Sequence, residues 1–163
     1  MTRLLGIDLG DRRIGLAVAE IDRDPAQPLA TIRRQRTVAA DVDRLATVVR
    51  EQRIDELVVG LPLEAHGGEG TMAAAARRWA AELETALGLP VSLRDERLSS
   101  HVAESRLGPM PRGRSGGPPT PSQREAYRAR VDREAAAVIL ADELAARAAA
   151  AGAVHGDASV SRG

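Results

Sequence analysis

The 163-residue sequence contains no cysteine, no phenylalanine and no lysine, so all 23 of its cationic side chains are arginines. The absence of cysteine excludes disulfides, thiolate metal sites and a cysteine nucleophile. Trp79 and Tyr127 are the only tryptophan and tyrosine, which excludes base stacking on a set of aromatic side chains as a main mode of nucleic-acid binding. No segment approaches the ~20 apolar residues that a membrane-spanning helix requires.

Length and composition are those of a globular protein. A chain of 163 residues favours one folded domain, which we place at residues 1–150, followed by a disordered tail at 151–163. Hydrophobic residues make up 44% and charged residues 28% of the chain, as in ordinary soluble proteins. The first residues lead directly into a strand-like pattern without a secretory signal, so we expect a cytoplasmic protein that does not bind membranes.

The formal net charge is zero, which by itself argues against nucleic-acid binding. The charge is unevenly distributed, because residues 97–133 contain eight arginines and three acidic residues. A basic segment of this kind can contact phosphates even when the total charge vanishes. The alternative is a solvated surface on which arginine simply replaces lysine.

The hydrophobic pattern predicts an α/β fold with a mixed β-sheet flanked by α-helices, in which three antiparallel strands are followed by two parallel ones. The dipeptides Asp24-Pro25 and Gln27-Pro28 are expected to break the chain before the third strand. Asp41 and either Ser99 or Ser100 are expected to cap helices. The Gly/Pro-rich segment 108–121 is predicted to be a mobile loop. The predicted strands are 3–9, 14–20, 30–38, 56–61 and 91–95, and the predicted helices follow residues 41, 71, 99 and 123, the last one ending at about 150.

Three carboxylates occupy positions where chemistry is expected. Asp8 ends the first strand, Glu96 follows the last strand directly after Asp95, and Asp132 lies in the final helix. The carboxyl ends of neighbouring strands meet at one edge of a sheet, where α/β proteins bind ligands. Three carboxylates at that edge would suit a hard divalent cation that activates water for phosphodiester hydrolysis. For each residue taken alone, a helix cap, a surface charge or an ion pair with a neighbouring arginine is the competing interpretation.

Four segments occur in an order that resembles the YqgF/RuvX family, whose members are known as Holliday junction resolvases or precursor 16S ribosomal RNA nucleases. The segments are GIDLGDRRIGLA (6–17), VVGLPLEAHGGEGT (58–71), LRDERLSS (93–100) and VDREAAAVIL (131–140). The resemblance implies a ribonuclease-H-like fold, catalytic and metal-binding roles for Asp8, Glu96 and Asp132, and dependence on Mg²⁺ or Mn²⁺. The preference for Glu96 over Asp95 rests on this resemblance.

The resemblance implies a nuclease in which a metal-activated water attacks a phosphodiester in line. Asp8 would bridge the metals, and Glu96 and Asp132 would complete their coordination. We expect the substrate to be the 5′ end of precursor 16S ribosomal RNA. The alternative is a Holliday junction resolvase or another nuclease acting on branched or single-stranded DNA. Because symmetrical junction cleavage needs a dimer and no distinctive dimerisation surface is evident, we expect a monomer or a weak homodimer.

Two more remote interpretations belong to other functional classes. An ATP-binding protein of the actin and sugar-kinase kind would use a GIDLG-like turn to contact phosphate, but such proteins close two domains around the nucleotide. A non-catalytic RNA-binding adaptor would retain the fold, but it would gain nothing from clustered negative charge.

The candidate nucleic-acid contacts are arginines near the predicted carboxylates or in the basic segment, with plain surface charge as the alternative. The family resemblance would place a lysine-rich loop before the last helix, whereas this chain has two arginines there. The glycine-rich loop 67–70 could hold a phosphate on backbone N–H groups or form a plain turn. The histidines are interpreted as non-catalytic. The predicted contacts are Arg12, Arg13, Arg97, Arg112, Arg114 and Arg128.

Overall fold

The computed structural model describes residues 1–62, 70–96 and 98–158. The strands are β1 (Arg3–Leu9), β2 (Arg13–Glu20), β3 (Asp24–Arg33), β4 (Glu56–Leu61) and β5 (Val91–Asp95). The helices are α1 (Val38–Gln52), α2 (Thr71–Leu87), α3 (Ser99–Leu107) and α4 (Pro121–Ala158), with a 3₁₀ turn at Arg114–Gly116. Among the described residues, none of the helices combines the length and apolar character needed to cross a bilayer.

The strands form one mixed sheet in the order β3-β2-β1-β4-β5. The first three strands pair antiparallel, whereas β4 pairs parallel with both β1 and β5. This arrangement confirms the predicted α/β architecture. The tight turn between β1 and β2 is closed by a hydrogen bond from the Gly10 N–H to the Arg13 carbonyl at 2.9 Å.

The two faces of the sheet are covered by different helices. Leu5 and Ile7 of β1 point to one face and pack in a core that includes Leu45 of α1 and Trp79 of α2. Leu4 points to the other face and packs in a separate core against α4. Because side chains alternate along a strand, Asp8 lies on the same face as Leu4, beneath α4.

Helix α4 packs unusually close to the sheet because glycines occupy the strands beneath it. A Cβ atom at Gly6 of β1 would lie 2.8 Å from the Ala136 carbonyl oxygen, and one at Gly15 of β2 would overlap the Asp132 carbonyl oxygen. Gly15 is the register partner of Asp8. The backbone of Asp132 therefore lies directly above the residue that pairs with Asp8.

Strand β3 differs from its prediction, since it runs from Asp24 to Arg33 and includes Pro25 and Pro28. The prediction of 30–38 treated these prolines as breaks in the chain. Strand β3 lies at the edge of the sheet and pairs only with β2, and an edge strand tolerates prolines because one side of its backbone has no partner strand. Residues 34–37 consequently form the connection to α1.

The helix caps were only partly predictable. The N-cap of α1 is Thr37, whose hydroxyl accepts a hydrogen bond from the Ala40 N–H at 3.2 Å. The predicted cap, Asp41, lies instead in the first turn and is buried. The N-cap of α3 is Leu98 rather than a serine. Helix α2 ends at Gly88, which adopts a left-handed conformation.

Helix α4 extends to Ala158, beyond its predicted end at residue 150. Residues 151–158 of the predicted disordered tail are therefore helical, because alanine has high helix propensity and Gly152 and Gly156 each cost only about 1 kcal/mol in a helix. The preceding loop is anchored to α4, since the Tyr127 hydroxyl donates to the Gly108 carbonyl at 2.7 Å. The mobility of this loop and the domain boundary at residue 150 stay predictions.

Candidate active site

Asp8 and Glu96 come together at the edge of the sheet where β1 and β5 end. Their carboxyl groups are in hydrogen-bonding contact. Asp8 is only 8% exposed, and Glu96 is half-buried, whereas the adjacent Asp95 is exposed. The contact with Asp8 distinguishes Glu96 from Asp95 on structural grounds. The competing interpretation, an ion pair with a neighbouring arginine, does not hold for Arg94, which pairs with Glu143 on α4 at 3.5 Å.

A glycine on the intervening strand makes this contact possible. Strand β4 lies between β1 and β5, and a Cβ atom at Gly60 would lie 2.6 Å from Oε2 of Glu96. The Glu96 side chain can therefore extend over Gly60 towards Asp8. Its backbone is held on both sides, because its N–H donates to the Leu61 carbonyl at 3.1 Å and its carbonyl accepts from the Ser99 hydroxyl at 2.8 Å.

The pair is strongly perturbed electrostatically. Burial, followed by the hydrogen bond and charge of Asp8, raises the pKa of Glu96 to about 10. Burial also raises the pKa of Asp8, and the charge of Asp132 adds to this effect. Glu96 is consequently protonated at neutral pH and donates its proton to the Asp8 carboxylate. Oε2 of Glu96 is buried and has no hydrogen-bond partner among the described residues, an arrangement that costs free energy.

Asp132 is near this pair but faces Arg13. The Asp132 Oδ2 atom lies 2.6 Å from the Arg13 Nε, and Glu125 lies 3.3 Å from the same guanidinium. Repulsion between like charges favours this ion pair over a close approach of Asp132 to Asp8. Within the described residues, no three acidic or histidine side chains are assembled as a ready metal-ligand set. The structure thus brings together two of the three predicted carboxylates.

The residues present nevertheless fit a divalent cation, which the family resemblance implies. Mg²⁺ typically binds one or two carboxylates and keeps several waters. Asp8 and Glu96 offer oxygen ligands of this kind, and the unpartnered Oε2 of Glu96 would gain a partner. A metal-binding role for Asp132 stays a prediction, because its carboxylate is paired with Arg13.

The predicted arginine contacts next to the carboxylates have different surroundings. Arg12 is exposed and lines a cleft beside the β1–β2 turn. Arg13 was expected to contact nucleic acid, but its guanidinium is engaged with Asp132 and Glu125. Arg97 lies outside the described residues.

The other predicted contacts lie at the end of α4 nearest the carboxylates. Arg112 and Arg114 are exposed on the preceding loop, which is tied to α4 by a 3.0 Å hydrogen bond from Gln123 Nε2 to the Arg112 carbonyl. Arg128 is exposed on α4, one turn before Asp132. Their contacts with nucleic acid stay predictions.

Sequence reasoning missed a second group of arginines. Arg33, Arg34 and Arg36 line the same cleft as Arg12. Three arginines within four residues were a visible signal, but the segment was assigned to the interior of a strand. Of the other candidates, His101 is exposed, and the glycine-rich loop lies mostly outside the described residues, as does His66.

Comparison with solved structures identifies the fold as ribonuclease-H-like. The chain is similar to RuvC of Thermus thermophilus, with a TM-score of 0.52 and 15% identity over 91% of this chain and 97% of that one. It is also similar to T. thermophilus RuvC in complex with a Holliday junction substrate, with a TM-score of 0.54 and 18% identity over the same shares of the two chains. These likenesses define the fold class.

Sequence comparison identifies the family within that class. Residues 2–146 match the family described as RuvX: Holliday junction resolvase. A relative from Anaeromyxobacter sp. (strain K), named "Putative pre-16S rRNA nuclease", is 50% identical over 90% of this chain and 98% of its own length. A relative of the same name from Chloroflexus aurantiacus is 37% identical over 88% of this chain and 87% of its own. The chain belongs to the RuvX family, which confirms the resemblance seen in its motifs.

Proposed function

We propose that this protein is a divalent-metal-dependent nuclease that hydrolyses phosphodiester bonds during 5′-end maturation of precursor 16S ribosomal RNA. The observation that carries the proposal is the Asp8–Glu96 carboxyl pair, which is buried beneath α4 at the carboxyl edge of the sheet. The family relatives named for this RNA support the choice of substrate. A cytoplasmic location follows from this role.

Asp8 and Glu96 would hold Mg²⁺ or Mn²⁺. A cation bound there supplies a Lewis acid for the phosphate and lowers the pKa of bound water. Glu96 must release its proton to become a ligand, because metal ligands bind in their deprotonated form. Arg13 keeps the Asp132 carboxylate beside the pair, where its charge is already felt by Asp8.

The buried carboxyl pair also separates this proposal from a role as a simple RNA-binding adaptor. Polyanion binding is driven by cationic side chains that displace counterions from phosphates. The buried Asp8 carboxylate at the ligand-binding edge, with the Glu96 carboxyl group beside it, would weaken such binding while adding the free-energy cost of burial. Catalysis with a cation explains why they are there.

Holliday junction cleavage is the second candidate, and the description of the matching family favours it. Symmetrical cleavage of a four-way junction requires two active sites and therefore a dimer. We rank RNA processing first because the expected oligomeric state is a monomer or a weak homodimer.

The decisive experiment compares both substrates at equal Mn²⁺ concentration. An RNA carrying the precursor 16S 5′ end and a four-way DNA junction are incubated with the wild-type chain and with Asp8→Asn. We expect Mn²⁺-dependent cleavage of the RNA, and loss of that cleavage on the order of 10³-fold in Asp8→Asn.

Asp43→Asn is the matched control, because Asp43 is an exposed residue of α1 and its substitution removes the same charge. This variant should cleave RNA as the wild type does. Undiminished cleavage by Asp8→Asn would refute the site, and paired nicks in the junction with an intact RNA would reverse the order of the two substrates.

A further inference from the structure

A cleft lined mainly by arginines lies beside the β1–β2 turn. The cleft has a volume of about 350 Å³, and we call it the arginine cleft. Arginines come from β2 and its preceding turn, from the end of β3 and from the connection to α1. Its lining residues are Asp11, Arg12, Arg13, Arg33, Arg34, Gln35, Arg36 and Glu125.

The arginines of the cleft divide into paired and unpaired ones. Arg13 is paired with Asp132 and Arg34 with the buried Asp41, whose Oδ2 lies 3.5 Å from Nε of Arg34. The other three are exposed, and no ion pair joins them to any residue in the described part of the chain. These unpaired arginines are Arg12, Arg33 and Arg36.

Their placement is costly for the fold. Arg33 on β3 stands directly opposite Arg13 on β2 in the sheet register, and like charges at directly opposed positions are destabilising. Asp132 and Glu125 compensate the charge of Arg13, but they do not compensate that of Arg33. An anion in the cleft would stabilise this arrangement, and a phosphate matches the planar donors of arginine.

The cleft is built on a hydrogen-bonded frame that includes the β1–β2 turn. The Arg34 N–H donates to the Arg12 carbonyl at 2.8 Å, and Nη1 of Arg34 donates to the Gly10 carbonyl at 3.2 Å. Oδ1 of Asp41 accepts from the Gln35 N–H at 2.7 Å. The segment after β3 is thereby fixed to the turn that begins two residues after Asp8.

The lining also defines what the cleft can recognise. No aromatic residue is among its lining residues, so bases have no surface on which to stack. Guanidinium groups contact phosphates without regard to sequence. The expected ligand is therefore the backbone of a nucleic-acid strand.

We propose that the arginine cleft is a backbone subsite, in which Arg12, Arg33 and Arg36 bind phosphates of the substrate strand next to the scissile bond. Arg34 and Asp41 are positioning residues that keep the cleft in place. This inference rests on the proposed function, because it takes the strand in the cleft to be the one that Asp8 and Glu96 act on.

The test measures binding of a labelled single-stranded RNA of mixed sequence to the full chain in EDTA, at several salt concentrations. For Arg33→Ala combined with Arg36→Ala, we expect about a tenfold weaker Kd at 0.1 M salt. The slope of log K against log salt should fall by about 1.4, since each lost phosphate contact contributes about 0.7 for single strands. A homopyrimidine RNA should show the same changes.

Two further variants separate the cleft from general charge and from folding. Arg23→Ala combined with Arg78→Ala removes two exposed arginines elsewhere and should leave the slope within about 0.3 of the wild-type value. The single variant Arg36→Ala, in the connecting segment, should lower the slope by about 0.7 and serves if the double variant does not fold. An unchanged slope in folded cleft variants, or an equal loss in the control pair, would overturn the subsite.

Cleavage is measured separately, so that the two proposals can fail separately. If the wild type shows no Mn²⁺-dependent cleavage but the cleft variants lose RNA affinity, the nuclease is refuted and the cleft stands only as a nucleic-acid backbone site. If the wild type cleaves RNA but the cleft variants bind RNA normally, the subsite is refuted and the nuclease is retained.

Discussion

Asp8 and Glu143 are equally buried, each with 8% of its surface exposed, yet their surroundings are opposite. Glu143 lies in the second half of α4 and contacts two guanidinium groups, with Arg147 at 3.1 Å and Arg94 at 3.5 Å. Arg147 also pairs with Glu56 of β4 at 2.8 Å. Asp8 contacts another carboxyl group, that of Glu96.

The comparison shows that burial of an acidic residue does not by itself indicate a functional site. The charge of the group that the buried acid contacts is the more informative feature. Around Glu143, cations compensate the buried acid and join α4 to the sheet. Around Asp8, the contact is a shared proton from a second acid and not a cation, which is an arrangement that a bound cation would stabilise.

The largest expected effect separates the Asp8–Glu96 pair from Glu143 by cleavage activity. Glu96→Gln should lower Mn²⁺-dependent RNA cleavage on the order of 10³-fold, because it removes a ligand oxygen with its charge. Glu143→Gln should retain wild-type cleavage at a temperature where it is folded. Turnover is measured on folded protein, verified by circular dichroism. Equal losses in the two variants would end the distinction.

The next largest effect is on the stability of the fold and concerns Glu143. Glu143→Ala should lower the free energy of unfolding by about 2–3 kcal/mol, since it leaves Arg94 and Arg147 without their shared partner, an effect reduced by the partial exposure of both arginines. Urea denaturation measures this change. A loss below about 0.5 kcal/mol would show that the pairing contributes little.

A smaller loss is expected at the frame of the arginine cleft. Asp41→Ala removes the acceptor of the Gln35 N–H and the partner of Arg34, and should cost about 2 kcal/mol. Asp43→Ala, two residues along the same helix and exposed, is its control in the same denaturation series. If both substitutions have the same effect, the frame does not depend on Asp41.

The smallest effect concerns pH. The folded pKa of Glu96 is about 10, against an ordinary value of 4.5. Above about pH 5 the unfolded chain loses this proton while the folded chain keeps it, so stability falls as the pH rises. Glu96→Gln removes this dependence and should be more stable than wild type by about 1–2 kcal/mol at pH 8, and by less at pH 5.

Thermal unfolding at the two pH values, in EDTA, measures the difference between Glu96→Gln and wild type. Glu84→Gln, at an exposed position of α2, should show no such pH-dependent gain. A Glu96→Gln variant that gains nothing between pH 5 and pH 8 would contradict the raised pKa.

The sequence predicted the bounds of β1, β4 and β5 to the residue. For β1 and β4 the reason is that strands buried on both faces leave a continuous apolar run. Pro25 and Pro28 obscured β3, since whether a proline is tolerated depends on whether its strand is at the edge. The length of α4 was underestimated, since Gly152 and Gly156 each cost only about 1 kcal/mol and do not end the helix.

The sequence predicted the candidate site as a set of residues but not its geometry. The motifs indicated Asp8, Glu96 and Asp132, yet no local pattern could show that Arg13 would hold Asp132 across the sheet. The role of Gly60 was equally hidden, because it depends on which strand lies between two others. The arginine cleft joins segments on three elements, and only the register of β2 with β3 brings Arg13 and Arg33 together.

The central claim is that Asp8 and Glu96 together form a cation site in which Glu96 is protonated until the cation binds. Isothermal titration with Mn²⁺ at pH 7, in two buffers of different ionisation enthalpy, tests it directly. We expect the wild type to bind Mn²⁺ with release of about one proton per ion, and Asp8→Asn to bind it at least about tenfold more weakly. Binding without proton release, or equal binding by Asp8→Asn, would contradict the claim.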